Sequence, residues 1–275
     1  MNLNDINNEL ADVRHVLETL FDDDASQCRI MGGYARRWFM KENNIPIKEE
    51  DDILSDIDVF VPFPLLVKFM DRYFSNNESK LLNEVQVKYA IKTLHEMIDT
   101  EYDEYHDTDV QNARILICEF YRNYSMHFKD HTDWISNKIA TNMNRIKSEG
   151  ILVDRQFSIN MEDRSVVMPV GSMLQIIFKS DGFSTDDFDI PATKIESYYP
   201  FNEIHDHSNT NLSLYEINHL HIVNLNNIVT TIKRLEKYTR YGFTISEDVK
   251  NQVINALMDT DISENLCFIG SEKYE

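Results

Sequence analysis

The chain has 275 residues, of which 42% are hydrophobic and 27% are charged, and its formal net charge is −20. This length and composition are typical of a soluble globular protein with one large domain or two modest ones. The negative charge repels polyphosphate chains and so excludes non-specific DNA binding, and no apolar run is long enough for a membrane span.

The first elements follow from hydrophobic periodicity. Apolar residues at helical spacing predict an amphipathic helix over 4–21, and "CRIM" (28–31) is typical of a short strand. A double glycine then predicts a turn, followed by a short helix over "YARRWFMKEN" (34–43). After a polar, acidic loop (41–52), "IDVFV" (57–61) has the β-branched and aromatic residues of a strand.

The rest of the chain alternates between helical and strand-like blocks. Residues 64–75 and most of 80–149 have helical spacing, although "ARILICEF" (113–120) fits either a strand or a buried helix. Short strands and then two helices are predicted after Gly150, at 151–160, 164–170, 174–179, 188–195, 215–240 and 246–259. The predicted fold class is α/β (α+β), a small mixed sheet with a helical insertion at about 80–149 and a helical C-terminal region.

The cysteines and the N-terminus bear on the cellular compartment. Cys28, Cys118 and Cys267 lie far apart in the chain, and none belongs to a Cys-x-x-Cys pair. The N-terminal "MNLNDINNEL" is polar and acidic, unlike a signal peptide. We therefore expect reduced thiols and a cytoplasmic protein, in the host cytoplasm if the AT-rich-type composition reflects a viral genome.

Two carboxylates sit on the predicted strand near 57–61. Residues i and i+2 of a strand point to one face, so Asp56 and Asp58 would project side by side. Adjacent carboxylates repel each other unless they are solvated or bridged by cations, and Mg²⁺ or Mn²⁺ prefers such oxygen ligands. Two ions about 4 Å apart stabilise the attacking and leaving oxygens of phosphoryl transfer. The pair therefore indicates a divalent metal site.

The double glycine complements these carboxylates. Gly32 and Gly33 have no Cβ, which allows a close approach of the backbone to a ligand and a positive φ. A strand–glycine–helix arrangement directs N–H groups and a helix N-terminus at phosphate. Arg36 and Arg37 add positive charge one turn into the helix. Together with the Asp-x-Asp pair, the turn indicates a site for a metal-bound nucleoside triphosphate.

The two segments "GGYARRWF" and "SDIDVFV" resemble the core signature of the polymerase-β-like nucleotidyltransferase superfamily. Gly32, Gly33 and Arg36 match the Gly-Gly-x-x-Arg of its CCA-adding branch. "GGYA", which includes Tyr34, is similar to the Gly-Gly-Trp-Ala of its antibiotic-modifying branch. Segments near 174–197 and 232–245 look like those of phage and giant-virus members.

The resemblance implies roles for the carboxylates, and the chain differs from the family pattern at one position. Asp56 and Asp58 match the catalytic metal-binding pair, and Ser55 is a common companion of that pair in nucleotide binding. The family usually has a third carboxylate on a later strand, where "LQIIF" offers Gln175 instead. Asp189 is the expected substitute as third metal ligand and base, and Asp187 is the less favoured alternative.

The resemblance also implies a core over 1–212, with a helical region over 213–275 packed on it. In that second region, Lys233, Lys237 and Arg240 share one helical face. These cations either bind the triphosphate or an acceptor phosphate, or complement the helix dipole near a cap at Gly242. Two His-x-His segments occur at 203–208 and 219–224; without nearby cysteines we interpret them as surface or packing histidines.

The implied activity is Mg²⁺-dependent transfer of a nucleoside monophosphate from a triphosphate to an acceptor hydroxyl, with release of pyrophosphate. In that activity Gly32 and Gly33 would cradle the β- and γ-phosphates, and Arg36 would neutralise triphosphate charge. The acceptor remains open among an RNA end such as that of transfer RNA, a protein and a small molecule. A second hypothesis is an inactive binding module of this fold, whose acidic surface engages a basic protein partner. A third is the enzyme of a toxin–antitoxin pair.

Overall fold

A computed structural model describes most of the helical and strand elements of the chain. The described residues are 3–47, 57–99, 107–131, 157–161, 164–170, 174–180, 190, 193–207, 219–220, 225 and 228–259. The α-helices are α1 (Leu3–Phe21), α2 (Gly33–Glu42), α3 (Phe63–Asn76), α4 (Glu84–Asp99), α5 (Asp107–His131), α6 (Ile228–Arg240) and α7 (Glu247–Asp259). The strands are β1 (Arg29–Met31), β2 (Ile57–Pro62), β3 (Ser158–Asn160), β4 (Ser165–Val170), β5 (Leu174–Lys179), β6 (Ile195–Tyr198), β7 (His205–Asp206), β8 (His219–Leu220) and β9 (Thr244–Ile245).

A mixed sheet organises the molecule. Seven strands lie in the order β3-β4-β5-β2-β1-β6-β7, and β2 and β5 are parallel while the other neighbours are antiparallel. A separate two-stranded pair joins β8 to β9. The predicted mixed α/β class is confirmed, although the sheet is larger than the small sheet that the sequence predicted.

The two faces of the sheet have different surroundings. Along β2 and β5 buried and half-buried residues alternate, so Val59 and Ile176 point into the core. Helices α1, α3 and α5 cover this buried face. They share with β4 and β5 a small apolar cavity, whose walls include Phe21, Phe69 and Phe120. The opposite side, where Asp58, Phe60, Gln175 and Ile177 lie, is called the half-buried face below.

Helix α1 buries the apolar stripe that the spacing of residues 4–21 predicted. It spans Leu3–Phe21 and buries every apolar position that defined the predicted stripe. These residues are Ile6, Leu10, Val13, Val16, Leu17 and Leu20. The prediction for residues 4–21 is therefore confirmed.

The ambiguous segment 113–120 is helical. It lies inside α5, and its buried residues Ala113, Leu116, Ile117 and Phe120 follow the helical spacing of three and four. Because α5 contacts both β4 and α3, it shares the core of the sheet. The expected domain boundary near residue 212 falls outside the described residues.

Two predicted element boundaries were wrong. The strand expected over 188–195 is instead β6, which begins at Ile195, while Ile190 lies in a bend. The helix expected over 215–240 begins only at Ile228, because His219–Leu220 forms a strand that pairs with Thr244–Ile245. In both places, long-range pairing between strands overrides a local pattern. Among the described helices, none is long and apolar enough to cross a membrane.

Candidate functional site

The glycine turn joins β1 to α2. Gly32 caps the N-terminus of α2 with φ of 78°, in the region that L-residues rarely adopt. Gly33 is the first helical residue and is not among the glycines with positive φ. The positive φ that the sequence suggested for the pair is therefore needed at Gly32 alone.

Asp58 lies directly beside this turn. It is the second residue of β2 and is paired with Met31, the last residue of β1. A Cβ atom built on Gly32 would lie 3.8 Å from Asp58 Oδ2. The fold thus brings Gly32, the N-terminus of α2 and one carboxylate of the Asp-x-Asp pair together on the half-buried face.

Gln175 occupies the neighbouring position on the next strand. The parallel pairing of β2 with β5 places it opposite Asp58, and both side chains belong to the half-buried face. Paired strands lie about 4.8 Å apart, so the two side chains are close neighbours. At this position, where the resemblance led us to expect a carboxylate, the chain has a neutral amide, which donates and accepts hydrogen bonds and cannot take up a proton.

Three of the predicted nucleotide-binding residues are buried on α2: Tyr34, Arg36 and Arg37. The Tyr34 hydroxyl donates a hydrogen bond to Glu9 Oε2 at 3.1 Å, and burial together with the Glu9 carboxylate raises the pKa of Tyr34. Arg37 is 2% exposed, and its Nη1 would lie 3.4 Å from a Cβ on Gly33. Arg36 is fully buried, and its guanidinium packs against two aromatic rings of the C-terminal region. A direct contact of any of them with nucleotide stays a prediction.

The basic face of α6 is exposed as expected. Lys233, Lys237 and Arg240 all point to solvent. Arg240 forms an ion pair with Glu236, with Nη2 2.8 Å from Oε1, and the Lys237 Nζ lies 5.9 Å from the centre of the Tyr241 ring. These contacts fit a solvated helix face, and binding of phosphate there stays a prediction.

Other predicted site residues lie outside the described residues. They are Ser55, Asp56, Asp187 and Asp189. Among the described residues, no group of three or more His, Cys, Asp or Glu side chains could hold a metal ion. The oxygen donors at Asp58 and Gln175 fit a hard divalent cation such as Mg²⁺ in type, with Asp56 and Asp189 as the expected further ligands.

A buried carboxylate that the sequence analysis missed lies on the same row of the sheet. Glu196 of β6 pairs with Met31, two strands from Asp58, and is 3% exposed. The Tyr198 hydroxyl donates to its Oε1 at 2.6 Å, which raises the pKa of Tyr198, and Arg29 Nη1 donates to its Oε2 at 3.4 Å. His207 Nε2 lies 2.9 Å from Oε1, so one of the predicted packing histidines contacts this cluster.

Lys194 is a second residue that the sequence did not single out. It is 5% exposed and lies two positions before Glu196, just before β6 begins. It is therefore at the same end of the strands as the glycine turn that follows β1. A buried lysine is uncommon and usually has an anionic partner. No local motif marks Lys194 or Glu196, because both are brought towards the turn only by the pairing of β1 with β6.

The chain matches no known family model, and no curated protein and no solved structure is significantly similar to it. The chemistry of the site therefore has to be inferred from the arrangement itself. A positive-φ glycine, a helix N-terminus and a carboxylate within one small volume can bind an anion through backbone N–H groups and a cation through the carboxylate. A metal-bound phosphate combines both.

Proposed function

We propose that the protein is a Mg²⁺-dependent nucleotidyltransferase. It would transfer a nucleoside monophosphate from a nucleoside triphosphate to an acceptor hydroxyl. The observation that carries the proposal is the contact between the Gly32 turn and Asp58, two parts of the sequence that are 26 positions apart. Neither feature indicates this chemistry alone, but together they supply the anion-binding and the cation-binding halves of a nucleotide site.

Each half of the site has a separate role. The N–H groups at the start of α2 bind phosphate oxygens, and the absence of a side chain on Gly32 leaves room for them beside Asp58. Asp58, with Asp56 as expected partner, would hold the divalent ion, and the ion would supply stabilisation of negative charge on the reacting phosphate and on the leaving group. The half-buried face positions the nucleotide against the first turn of α2.

The reaction itself is a displacement at phosphorus. The acceptor oxygen attacks the α-phosphorus of the triphosphate, the bond to the bridging oxygen breaks, and pyrophosphate leaves with the electron pair. The acceptor proton passes to a base, for which Asp189 is the expected residue. Gln175 cannot serve in that role, although it stands in the register position beside Asp58.

The same glutamine supports a second candidate function. If Asp189 does not reach the site, the protein would bind nucleotide and transfer it slowly or not at all. The inactive binding module of this fold, with a basic protein as its partner, is then favoured. The net charge of −20 fits such a partner.

Nucleotide binding is the direct test of the proposal. We would measure the melting temperature with ATP, GTP, CTP and UTP, each with and without Mg²⁺, for the parent and for Asp58→Asn. A ligand at a hundredfold excess over Kd adds about 2.7 kcal/mol of stability, which is a shift of several degrees for a chain of this size. We expect the shift with at least one nucleotide, only with Mg²⁺, and not in Asp58→Asn.

A matched control separates the site from general charge effects. Glu203→Gln removes one negative charge from an exposed position before β7. It should keep the full nucleotide-dependent shift. A shift in Asp58→Asn equal to that of the parent, or the lack of any shift in the parent, would contradict the proposal.

The variant Gln175→Glu then distinguishes the active from the inactive form. It restores a carboxylate beside Asp58 at nearly constant side-chain size. If the parent binds nucleotide but is catalytically weak, release of pyrophosphate should rise in this variant. If the parent is fully active with another base, a second negative charge should leave turnover unchanged or lower it.

A further inference from the structure

The C-terminal end of α6 is closed by a glycine cap. Gly242 has φ of 92°, and its N–H donates to the Thr239 carbonyl at 3.0 Å. The N–H of Phe243 donates to the Tyr238 carbonyl, also at 3.0 Å. This pair of hydrogen bonds is a Schellman motif, which usually brings the residue after the glycine back onto the last helical turn. The Phe243 and Tyr238 rings accordingly lie 5.2 Å apart, at 77° to each other.

The two rings of this cap hold a side chain from another part of the molecule. The guanidinium carbon of Arg36 lies 5.2 Å from the centre of the Tyr238 ring and 5.1 Å from that of Phe243. Arg36 Nη1 also donates to the sulfur of Met40 at 3.3 Å, and the whole residue is fully buried. A guanidinium over an aromatic face is attracted by the ring quadrupole, and more strongly where water is excluded.

The backbone of Arg36 contacts the glycine turn. Its N–H donates to the Gly32 carbonyl at 3.0 Å and so forms the first hydrogen bond of α2. Gly32 is the residue that lies beside Asp58. Arg36 thus forms a backbone hydrogen bond with the candidate site, and its side chain contacts the cap of α6.

We propose that Arg36 is a positioning residue, which docks the C-terminal helix α6 on α2 and thereby fixes the Gly32 turn beside Asp58. The guanidinium would have to leave both rings before it could contact phosphate, and that movement would expose to water the ring surface that it covers. The consequence for nucleotide binding rests on the function proposed above. The coupling between α6 and the turn does not depend on it.

Hydrogen exchange of backbone amides tests the coupling. We would compare the parent with Arg36→Met, Arg36→Lys and Gly242→Ala, and follow peptides that cover 33–40 and 228–243. Arg36→Met keeps an unbranched apolar chain but removes the cation, whereas Gly242→Ala disturbs the cap without touching α2. Both should speed exchange in α2 and in α6. Arg36→Lys keeps a cation near the rings, so its exchange rates should be closer to those of the parent.

A destabilising variant elsewhere serves as the control. Leu94→Ala removes a fully buried side chain from α4. It should lower overall stability without selectively speeding exchange at the start of α2. If Gly242→Ala destabilises the fold too far, Phe243→Leu removes one ring and makes the same comparison.

Nucleotide affinity of the same variants separates the possible roles of Arg36. A positioning role predicts that Gly242→Ala and Arg36→Met weaken binding by a similar factor, about tenfold, and that the double variant is little worse than either. Loss of binding in Arg36→Met with exchange in α2 unchanged would instead mean direct contact with phosphate. Parent-like exchange in α2 in both single variants would overturn the coupling. If the parent binds no nucleotide, the proposed function fails, and the exchange data still decide the coupling.

Discussion

At the scale of single residues, Gly32 carries the tightest constraint in the candidate site. With φ of 78° and ψ of −140° it lies in a region that is essentially restricted to glycine, where an alanine costs about 1–3 kcal/mol. The new methyl group would also lie 3.8 Å from Asp58 Oδ2, in the volume assigned to phosphate. We expect Gly32→Ala to lower the free energy of unfolding by that amount and to abolish the nucleotide-dependent shift in melting temperature.

Gly33→Ala is the natural comparison for this variant. Gly33 has no positive φ, and its added Cβ would lie 3.4 Å from Arg37 Nη1. Alanine also favours the helix over glycine. Stability within about 0.5 kcal/mol of the parent is expected. Equal losses in the two alanine variants would show that the strain at Gly32 has been misjudged.

Cys28 makes a prediction about pH. It is fully buried, and burial, with a smaller effect of Asp24, raises the pKa of its thiol to about 12. The unfolded thiol ionises near pH 8.5, so the folded state is relatively stabilised below that pH, and this contribution is lost as pH rises towards 12. Between pH 7.5 and pH 10, ionisation of this thiol in the unfolded state should lower the free energy of unfolding of the parent by about 2 kcal/mol.

Urea unfolding at the two pH values measures this loss. From pH 7.5 to pH 10, the free energy of unfolding should decrease by about 2 kcal/mol less in Cys28→Ala than in the parent. Cys118→Ala, which alters a thiol that is only half-buried, should change the decrease less. If Cys28→Ala and the parent lose the same stability, the thiol is more accessible than the structure indicates.

Part of the site was readable from the residues alone, and part was not. Gly32 and Asp58 carry local signals, a double glycine between strand and helix and a carboxylate on an apolar strand, and both lie where the signals suggested. Arg36 carried the same kind of signal, but its side chain packs against Tyr238 and Phe243. Contacts over 200 positions along the chain cannot be inferred from the spacing of one motif.

At the scale of elements, a buried carboxylate fixes the connection between α3 and α4. Glu119 of α5 is 4% exposed, and it accepts hydrogen bonds from the Ser79 hydroxyl and the Lys80 N–H, both at 2.5 Å. Removing one partner of a buried hydrogen bond leaves the other without compensation. Glu119→Ala should therefore lower stability by about 2–3 kcal/mol in urea unfolding.

The exposed ion pair between Lys92 and Glu96 provides the contrast. Its atoms lie 3.1 Å apart on the surface of α4, and such pairs contribute about 0.3–0.5 kcal/mol. Glu96→Ala should thus have a small effect. A loss in Glu119→Ala no greater than this would mean that the connection is held by other contacts.

The elements also show which parts of the fold could be predicted. Helix α1 and strand β2 were correct because a long amphipathic stripe and a run of β-branched residues are local signals. The segment 113–120 was ambiguous because Ile115 is apolar although it lies on the exposed side of the helix, which obscures the helical spacing of the buried residues. Strand β6 was misplaced, and the residues of β8 were predicted as helix, because both strands depend on partners far along the chain.

At the scale of the whole molecule, net charge sets the response to salt. A net charge of −20 destabilises the folded state, because its negative charges repel each other. Salt screens this repulsion: between 20 and 200 mM salt the Debye length falls from about 20 to 7 Å. We expect the melting temperature to rise over this range. NaCl is the suitable salt, because it avoids sulfate, which resembles phosphate and would compete for the glycine turn. A fall in melting temperature would contradict this expectation.

For the proposed transfer reaction, the same charge limits the nature of the acceptor. An RNA acceptor would have to bind at a restricted basic surface, and the described candidate is the exposed face of Lys233, Lys237 and Arg240. A protein or small-molecule acceptor needs no such surface. Replacing all three residues with glutamine should leave triphosphate binding unchanged if this face serves an acceptor, and should weaken it if the face binds the triphosphate.

The central claim is that Gly32 and Asp58 form one nucleotide site, and thermal stability with each nucleotide tests it most directly. The result we expect is a Mg²⁺-dependent rise in melting temperature of several degrees in the parent and in Glu203→Gln. The rise should be absent in Asp58→Asn and Gly32→Ala. The claim would be contradicted if no nucleotide stabilised the parent, or if Asp58→Asn responded as the parent does.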